Sequence, residues 1–303
     1  MAFNWQTFRI RSLTALIFVV VMSCGLLINK WTFFLLFSIV HVGCWREFQK
    51  LVGAFVPSYA SIATFHKWGI ILIGWGMLMF ATQGTMMSKD LSLAELGFII
   101  SLIGLFCLPI VEVLFSRKME PANIAWSALG LLYLSLSLTL LIHLRSGDIW
   151  RPVEEKGNVF TALGSSLAGL AGYIMPLIII GSIWINDTMA YIVGSIIGRT
   201  PLSIVSPKKT WEGTLGGIIL SVVAVTLIGV YAMQGEARDF AAIASISAIA
   251  GTIGDLLESK LKRLAGVKDS GSFMPGHGGF LDRFDSLLLA VPFVWLYTRF
   301  LMS

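Results

Sequence analysis

The sequence has 303 residues, of which 56% are apolar and 13% are charged. Globular domains carry roughly 45–50% apolar and about 25% charged residues, so an ordinary soluble protein is excluded. A disordered chain is excluded too, because disorder requires low hydrophobicity with high net charge. The composition predicts an all-α polytopic membrane protein. The net charge of +5 fits the excess of Lys and Arg on cytoplasmic loops, so we expect no nucleic-acid partner.

Nine apolar runs approach the roughly 20 residues that a helix needs to cross a bilayer. They are 12–29, 31–45, 68–83, 96–115, 124–144, 167–185, 214–233, 241–257 and 286–302. Several runs are short, so we expect some helices to extend into polar flanks. Positive charge favours cytoplasmic loops, and the loop charges therefore predict the N-terminus inside and the C-terminus outside. This orientation requires that the apolar stretch 187–198 forms a re-entrant or interfacial piece rather than a separate crossing.

Acidic residues are concentrated late in the chain. Nine of the 17 lie between positions 187 and 285. We therefore predict two regions: an N-terminal transmembrane scaffold over 1–166 and a C-terminal catalytic transmembrane region over 167–303.

Asp187 lies between two apolar runs, beside Asn186 and Thr188. An ionisable residue at mid-bilayer costs roughly 3 kcal/mol on insertion scales and is by default a candidate for function. A helix N-cap explains the same residues equally well, since Asn, Asp and Thr all favour that position.

Lys208 and Lys209 precede a glycine-rich helix start at 213–217. Lysine side chains and exposed backbone N–H groups at a helix N-terminus can bind an anion such as phosphate. The alternative is a cytoplasmic anchor, in which the two lysines only follow the positive-inside rule.

Four carboxylates flank a charged loop near the end of the sequence. Asp255 and Glu258 are three residues apart at the end of an apolar run, and Asp282 and Asp285 repeat this spacing at the start of the last run. Residues three apart share a helix face, so two such pairs would make an oxygen cage suited to Mg²⁺.

The loop between these pairs carries cations and glycines. The basic residues between the pairs are Lys260, Lys262, Arg263 and Lys268, and Arg283 follows Asp282. The glycines around His277 let the backbone approach a ligand closely, and His277 itself is an acid, a phosphate donor or only a turn residue. Carboxylates for a metal with cations for anions are what phosphoryl or nucleotidyl transfer needs. The alternative is a solvated, salt-laced cytoplasmic loop.

In these motifs the sequence resembles the phosphatidate cytidylyltransferases, also called CDP-diacylglycerol synthases. The resemblance covers roughly 184–290 and rests on three blocks. They are Asn-Asp-Thr-x-Ala-Tyr at 186–191, Ser-Pro-Lys-Lys-Thr-x-Glu-Gly at 206–213, and the long block made of Ser259, Lys262-Arg263, Lys268-Asp269, the Pro-Gly-His-Gly-Gly turn at 275–279 and Asp282-Arg283-x-Asp285.

The resemblance implies that CTP and phosphatidic acid react to give CDP-diacylglycerol and pyrophosphate. It implies Mg²⁺ on Asp255 and Asp282, with Asp285 and Asp269 as supporting ligands and a second cation left open. The implied catalytic residues are Asp255, Asp282, Lys262, Lys268 and His277. The implied substrate-binding residues are Lys208, Lys209, Arg263, Ser259, Asp187, Arg283, Gly278 and Gly279.

The resemblance further implies a homodimer, with membrane lipids as partners. We expect a multi-pass protein of the inner (plasma) membrane, and the loop charges independently place the loops 199–213 and 258–285, and so the active site, on the cytoplasmic side. Two alternatives of other classes remain at this stage. A CTP- or ATP-dependent kinase of a polyprenol or another lipid has similar chemical needs. An ion-coupled transporter would also carry acids and lysines, but at mid-span and with an internal repeat.

Overall fold

The protein is described by a computed structural model over residues 5–83, 92–115, 120–146, 165–233, 235–273 and 278–302. Within these residues the chain forms ten helices, and Pro201 and Thr210 form an isolated β-bridge. The helices are α1 (Trp5–Leu27), α2 (Lys30–Phe55), α3 (Pro57–Ala60), α4 (Thr64–Phe80), α5 (Leu93–Phe115), α6 (Pro121–Ser146), α7 (Ser165–Ile197), α8 (Trp211–Met233), α9 (Ala237–Leu264) and α10 (Leu281–Phe300). The all-α prediction is confirmed.

Five of the described helices are long and apolar enough to cross a membrane: α5, α6, α7, α8 and α9. A shorter apolar segment, Ser12–Leu27, lies in α1. Each of the nine apolar runs falls on a helix, which confirms a polytopic membrane protein, but the number of nine spans is not confirmed.

Two helices extend well beyond their apolar runs, as the short runs led us to expect. The run that begins at residue 31 was predicted to end at 45, but α2 continues to Phe55 and so carries the charged Arg46 and Glu47. The stretch 187–197 continues α7 without a break. A separate re-entrant piece there is therefore wrong, because uninterrupted helical hydrogen bonding joins this stretch to the preceding run, whereas an interfacial position of the stretch stays a prediction.

The chain divides into two compact units. Unit 1 contains Met1–Ile142 and Leu261–Phe284, and unit 2 contains His143–Lys260 and Asp285–Ser303. Each unit therefore includes one end of α9 and one end of α10. The predicted division into a scaffold and a catalytic region stays a prediction.

The core of unit 1 is built on the buried face of α2. Phe37, Trp45 and Phe48 are completely buried there. A polar contact crosses this core, because the Ser135 hydroxyl lies 2.9 Å from both the His41 Nε2 and the Trp45 Nε1 atoms. Ser135 belongs to a π-helical turn of α6, a local widening that is frequent at functional or strained positions.

A second buried polar contact in unit 1 links α4, α5 and α6. His66 Nδ1 lies 2.8 Å from a carboxylate oxygen of Glu112, and His66 Nε2 lies 2.9 Å from the Ser127 hydroxyl. Polar groups buried among apolar helices need such partners, since each unpaired group costs several kcal/mol in an apolar medium. The contact therefore fixes the register of the three helices.

Unit 2 is organised by close packing of α7 against α8. A Cβ atom added at Gly213 would lie 2.7 Å from the Ala190 carbonyl oxygen, and one added at Gly217 would lie 2.7 Å from the Asn186 carbonyl oxygen. Small residues at helix interfaces of membrane proteins permit this approach of two backbones. The packing brings the first turns of α8 beside Asn186 and Asp187.

Candidate active site

A short hairpin in unit 2 leads into α8 and orients Lys209. The Trp211 N–H donates to the Thr200 carbonyl and the Leu202 N–H donates to the Lys209 carbonyl, at 2.9 and 2.8 Å. The Glu212 carboxylate accepts from the backbone N–H groups of Arg199 and Thr200 at 3.1–3.2 Å. These contacts fix the backbone on both sides of Lys209 and so orient its ammonium group.

Lys209 forms an ion pair with Asp255 of α9. Each side chain keeps slightly less than a third of its surface exposed, at 29% and 28%. The Ser259 hydroxyl, one turn further along α9, donates to the other oxygen of Asp255 at 3.3 Å. The structure thus brings Lys209, Asp255 and Ser259 together, and their roles in catalysis or substrate binding stay predictions.

Three carboxylates of unit 2 converge beside this ion pair. One oxygen from each of Asp255, Glu258 and Asp285 lies within 4.8 Å of the other two, and we call this group the acidic cluster. Glu258 is fully buried and Asp285 is 8% exposed. Carboxylates this close repel each other, and a divalent cation with oxygen ligands would relieve the repulsion. The donor set therefore fits Mg²⁺.

A glycine makes the acidic cluster possible. A Cβ atom added at Gly254 of α9 would lie 2.5 Å from the carbonyl oxygen of Asp285 on α10. The neighbouring contact is looser, because a Cβ atom at Gly251 would lie 3.4 Å from the Ser286 side chain. The backbones of α9 and α10 thus approach most closely at the turn that carries Asp255 and Asp285.

Asp187 lies on the same side of unit 2 as the acidic cluster. It interacts electrostatically with both Lys209 and Asp255. Its neighbour Asn186 is buried, and its amide nitrogen lies 3.4 Å from the Thr252 hydroxyl of α9. Asp187 is in the interior of α7, so the alternative of a helix N-cap is wrong.

A second charged cluster lies in unit 1, where the Lys262 ammonium group donates to Asp282 Oδ1 at 2.7 Å. The other oxygen of Asp282 accepts from the Gly279 N–H at 2.7 Å, the Ser270 N–H at 2.9 Å and the Ser270 hydroxyl at 2.8 Å. We call Lys262, Ser270, Gly279 and Asp282 the Asp282 cluster. It ties Lys262, Ser270 and Gly279 to the first turn of α10.

The Asp282 cluster keeps its carboxylate ionised. Burial alone would raise the pKa of Asp282, but hydrogen bonds from Gly279, Lys262 and Ser270 outweigh burial and lower this pKa to about 2. Gly278 has a φ of +85°, a left-handed conformation that favours glycine, and it turns the chain so that the Gly279 N–H reaches Asp282.

Comparison with known proteins decides the family. The model of the cytidylyltransferase family matches residues 9–301, which is almost the whole chain. The chain belongs to the cytidylyltransferase family.

Named relatives within this family share one activity in their names. The chain is 37% identical over 200 residues to a phosphatidate cytidylyltransferase of Synechocystis, covering 63% of this chain and 67% of that protein. It is 32% identical over 203 residues to a phosphatidate cytidylyltransferase of Staphylococcus aureus, covering 66% and 75%. A stretch of 115 residues is 43% identical to a phosphatidate cytidylyltransferase of Bacillus subtilis, covering 37% of this chain and 43% of that protein.

The remaining residues implied by the family resemblance have no tested role. Five of them are exposed: Lys208, Arg263, Lys268, Asp269 and Arg283. His277 lies outside the described residues. Their assignments to catalysis, to substrate binding or to a supporting metal position stay predictions, as does the direct ligation of a metal by Asp282.

Sequence reasoning missed two residues that contact the Asp282 cluster or the start of α10. Ser270 donates to Asp282, although it stands in the quoted stretch only as a polar loop residue. Glu47 comes from α2, and it accepts hydrogen bonds from Phe280 and Leu281 at the start of α10. A carboxylate at the end of an apolar run was the only signal for Glu47, and it resembled an ordinary flanking charge.

Proposed function

We propose that this protein transfers the cytidylyl group of CTP to phosphatidate, with CDP-diacylglycerol and pyrophosphate as products. The family match over residues 9–301 is the observation that carries the proposal, since the relatives named above are all phosphatidate cytidylyltransferases. The acidic cluster beside Lys209 supplies the chemistry that such a transfer needs.

The acidic cluster would hold the divalent cation. Asp255, Glu258 and Asp285 offer three oxygen ligands from two helices, which suits Mg²⁺ with water and phosphate oxygens in its other positions. When bound, Mg²⁺ neutralises phosphate charge and stabilises the departing pyrophosphate. The family resemblance also implies a metal-ligand role for Asp282 and leaves a second cation open.

Two lysines, Lys209 of unit 2 and Lys262 of unit 1, are assigned to binding anionic groups, each on the geometry of its own unit. The Lys209 side chain keeps 29% of its surface exposed beside Asp255, so its ammonium group can reach a phosphate without leaving its carboxylate partner. Lys262 is held at 2.7 Å by Asp282 and therefore presents its charge in a fixed direction. Positioning and charge neutralisation supply most of the catalysis in phosphoryl-group transfer.

No side-chain nucleophile is required in this reaction. An ionised phosphate oxygen of phosphatidate forms a bond to the α-phosphorus of CTP, and the bond from that phosphorus to the bridging α–β oxygen breaks. The electron pair leaves with pyrophosphate. Asp187, which interacts with Lys209 and Asp255, orients that ion pair toward the substrate phosphates.

The substrates also suggest the location of the site. One substrate is a membrane lipid and the other is a cytosolic nucleotide, so the site is expected at the cytoplasmic face of the plasma membrane. The positive charge of the loops supports an N-terminus on the same side. A homodimer in a lipid environment completes the proposal.

A double-label experiment tests this function against a lipid kinase. The purified protein in mixed micelles receives phosphatidate, Mg²⁺ and CTP that is labelled either at the α-phosphate or at the γ-phosphate. Cytidylyl transfer carries only the α-label into the lipid fraction and releases the γ-label as pyrophosphate. Entry of the γ-label into the lipid, with CDP as the soluble product, would instead establish a kinase.

A further inference from the structure

The side chain of Glu47, in the N-terminal half of the chain, holds the start of α10. Its Oε1 atom accepts from the Phe280 N–H at 3.0 Å, and its Oε2 atom accepts from the Leu281 N–H at 2.8 Å. Backbone N–H groups at a helix N-terminus lack partners within the helix and carry partial positive charge. Glu47 thus caps α10 from another helix, at a distance of more than 230 positions along the sequence.

The loop that receives Glu47 is shaped around its carboxylate. A Cβ atom at Gly271 would lie 2.2 Å from Glu47 Oε1, and one at Gly279 would lie 2.3 Å from both carboxylate oxygens. The Phe280 ring covers Gly43 on α2, where an added Cβ atom would lie 2.4 Å from the ring. A side chain at Gly271 or Gly279 would displace the Glu47 carboxylate, so the contact requires glycine at both positions.

Glu47 and Asp282 share one hydroxyl group. The Ser270 Oγ atom lies 2.7 Å from Glu47 Oε2 and 2.8 Å from Asp282 Oδ2. Because Asp282 in turn holds Lys262 at 2.7 Å, a movement of Glu47 would be transmitted through Ser270 and the Gly279 backbone to Lys262. All of these residues belong to unit 1.

We infer that Glu47 is a positioning residue of the reaction, acting through Ser270 and the start of α10 on Asp282 and Lys262. This inference rests on the proposed function. It assigns a part in catalysis to α2, which the sequence analysis treated as transmembrane scaffold. Misplacement of a catalytic group by about 1 Å can lower a rate about 100-fold, so the carboxylate is expected to affect turnover more than substrate binding.

Substitution at Glu47 separates an effect on turnover from an effect on substrate binding. Glu47→Ala removes both acceptors and is expected to lower kcat about 100-fold with less than a threefold change in the KM for CTP. Glu47→Gln keeps one oxygen acceptor and is expected to lose about tenfold. The matched control is Glu120→Gln, since Glu120 is exposed and its side chain makes no capping hydrogen bond. The control is expected to keep the wild-type kcat.

Coupling to Ser270 distinguishes positioning from general loss of folding. If Glu47 acts through this hydroxyl, Glu47→Ala combined with Ser270→Ala loses clearly less activity than the product of the two single losses. A kcat per folded molecule equal to that of the wild type in Glu47→Ala would overturn the inference, even if the yield of folded protein fell. Losses that multiply independently would overturn it as well.

Hydrogen–deuterium exchange tests the contact without any substrate. The peptide that contains the Phe280 and Leu281 amides is expected to exchange at least tenfold faster in Glu47→Ala than in the wild type or Glu120→Gln. Unchanged exchange would contradict the capping role of Glu47. A folded wild-type protein that makes no CDP-diacylglycerol would refute the proposed function instead, and the exchange result would still decide on the contact.

Discussion

Replacement of Asp282 by asparagine tests the charged cluster of unit 1 most sharply. An amide offers only one oxygen, so it can accept from Lys262 on one side or from Ser270 and Gly279 on the other, but not from both. Whichever side faces the amide NH₂ group then meets another donor. The substitution therefore removes a charge-assisted hydrogen bond or leaves backbone N–H groups without an acceptor.

The size of the effect follows from the pKa of Asp282, which is lowered from 3.8 to about 2. A shift of this size corresponds to about 2 kcal/mol of stabilisation of the ionised carboxylate. We expect Asp282→Asn to lower the free energy of unfolding by about 2 kcal/mol. We expect kcat to fall at least 100-fold, because Lys262 loses the partner that fixes its direction.

The assay combines thermal unfolding in detergent with initial rates of CDP-diacylglycerol formation. Glu236→Gln serves as the control, since Glu236 is exposed and lies between the seventh and eighth apolar runs, a loop that the predicted inside position of the N-terminus puts outside. A variant that combines Asp282→Asn with Lys262→Met should lose little more than either single variant. Wild-type rates in Asp282→Asn, or fully additive losses in the double variant, would refute the reasoning.

Three further predictions concern the contact between α9 and α10, the pH dependence of stability and the role of Lys209. Gly254→Ala should lower turnover at least tenfold, whereas Gly251→Ala on the same helix should stay within twofold, because only the first Cβ meets the α10 backbone at 2.5 Å. Because the pKa of Asp282 is lowered to about 2 in the folded protein, the ionised carboxylate stabilises the fold at pH values above the unfolded-state pKa near 3.8, and this stabilisation is lost as the pH falls toward about 2. The difference in the free energy of unfolding between wild type and Asp282→Asn should therefore stay constant from pH 5 to 9 and shrink below pH 4. In CTP titrations, Lys209→Met should lower kcat/KM at least tenfold, and an unchanged value, equal to that of the exposed control Lys50→Met, would contradict phosphate binding by Lys209.

Local spacing in the sequence predicted the parts of the site that lie on single helices. Asp255 and Glu258 share a face of α9, as their separation of three residues requires, and Lys209 lies two residues before the start of α8. Such relations depend only on helical periodicity and on the positions of helix ends, and both can be derived from the pattern of apolar residues.

Relations between distant segments could not be derived in this way. Glu47 and Ser270 are 223 positions apart, and nothing in their local sequences indicates that they meet. The continuation of α7 through Asp187 was missed for a related reason, since the polar Asn186-Asp187-Thr188 triplet resembles a helix start. Tertiary packing through Gly217 and Thr252 accommodates these polar residues inside one long helix.

The central claim is that the acidic cluster holds the cation that supports synthesis of CDP-diacylglycerol. The most direct measurement is the rate of CDP-diacylglycerol formation from CTP and phosphatidate as a function of Mg²⁺ concentration, for the wild type and for Asp255→Asn. We expect saturable activation of the wild type, complete loss with EDTA, and at least a tenfold higher Mg²⁺ requirement in the variant, because one of three carboxylate ligands is lost. A folded wild type that forms no CDP-diacylglycerol, or a variant with the same Mg²⁺ requirement as the wild type, would contradict the claim.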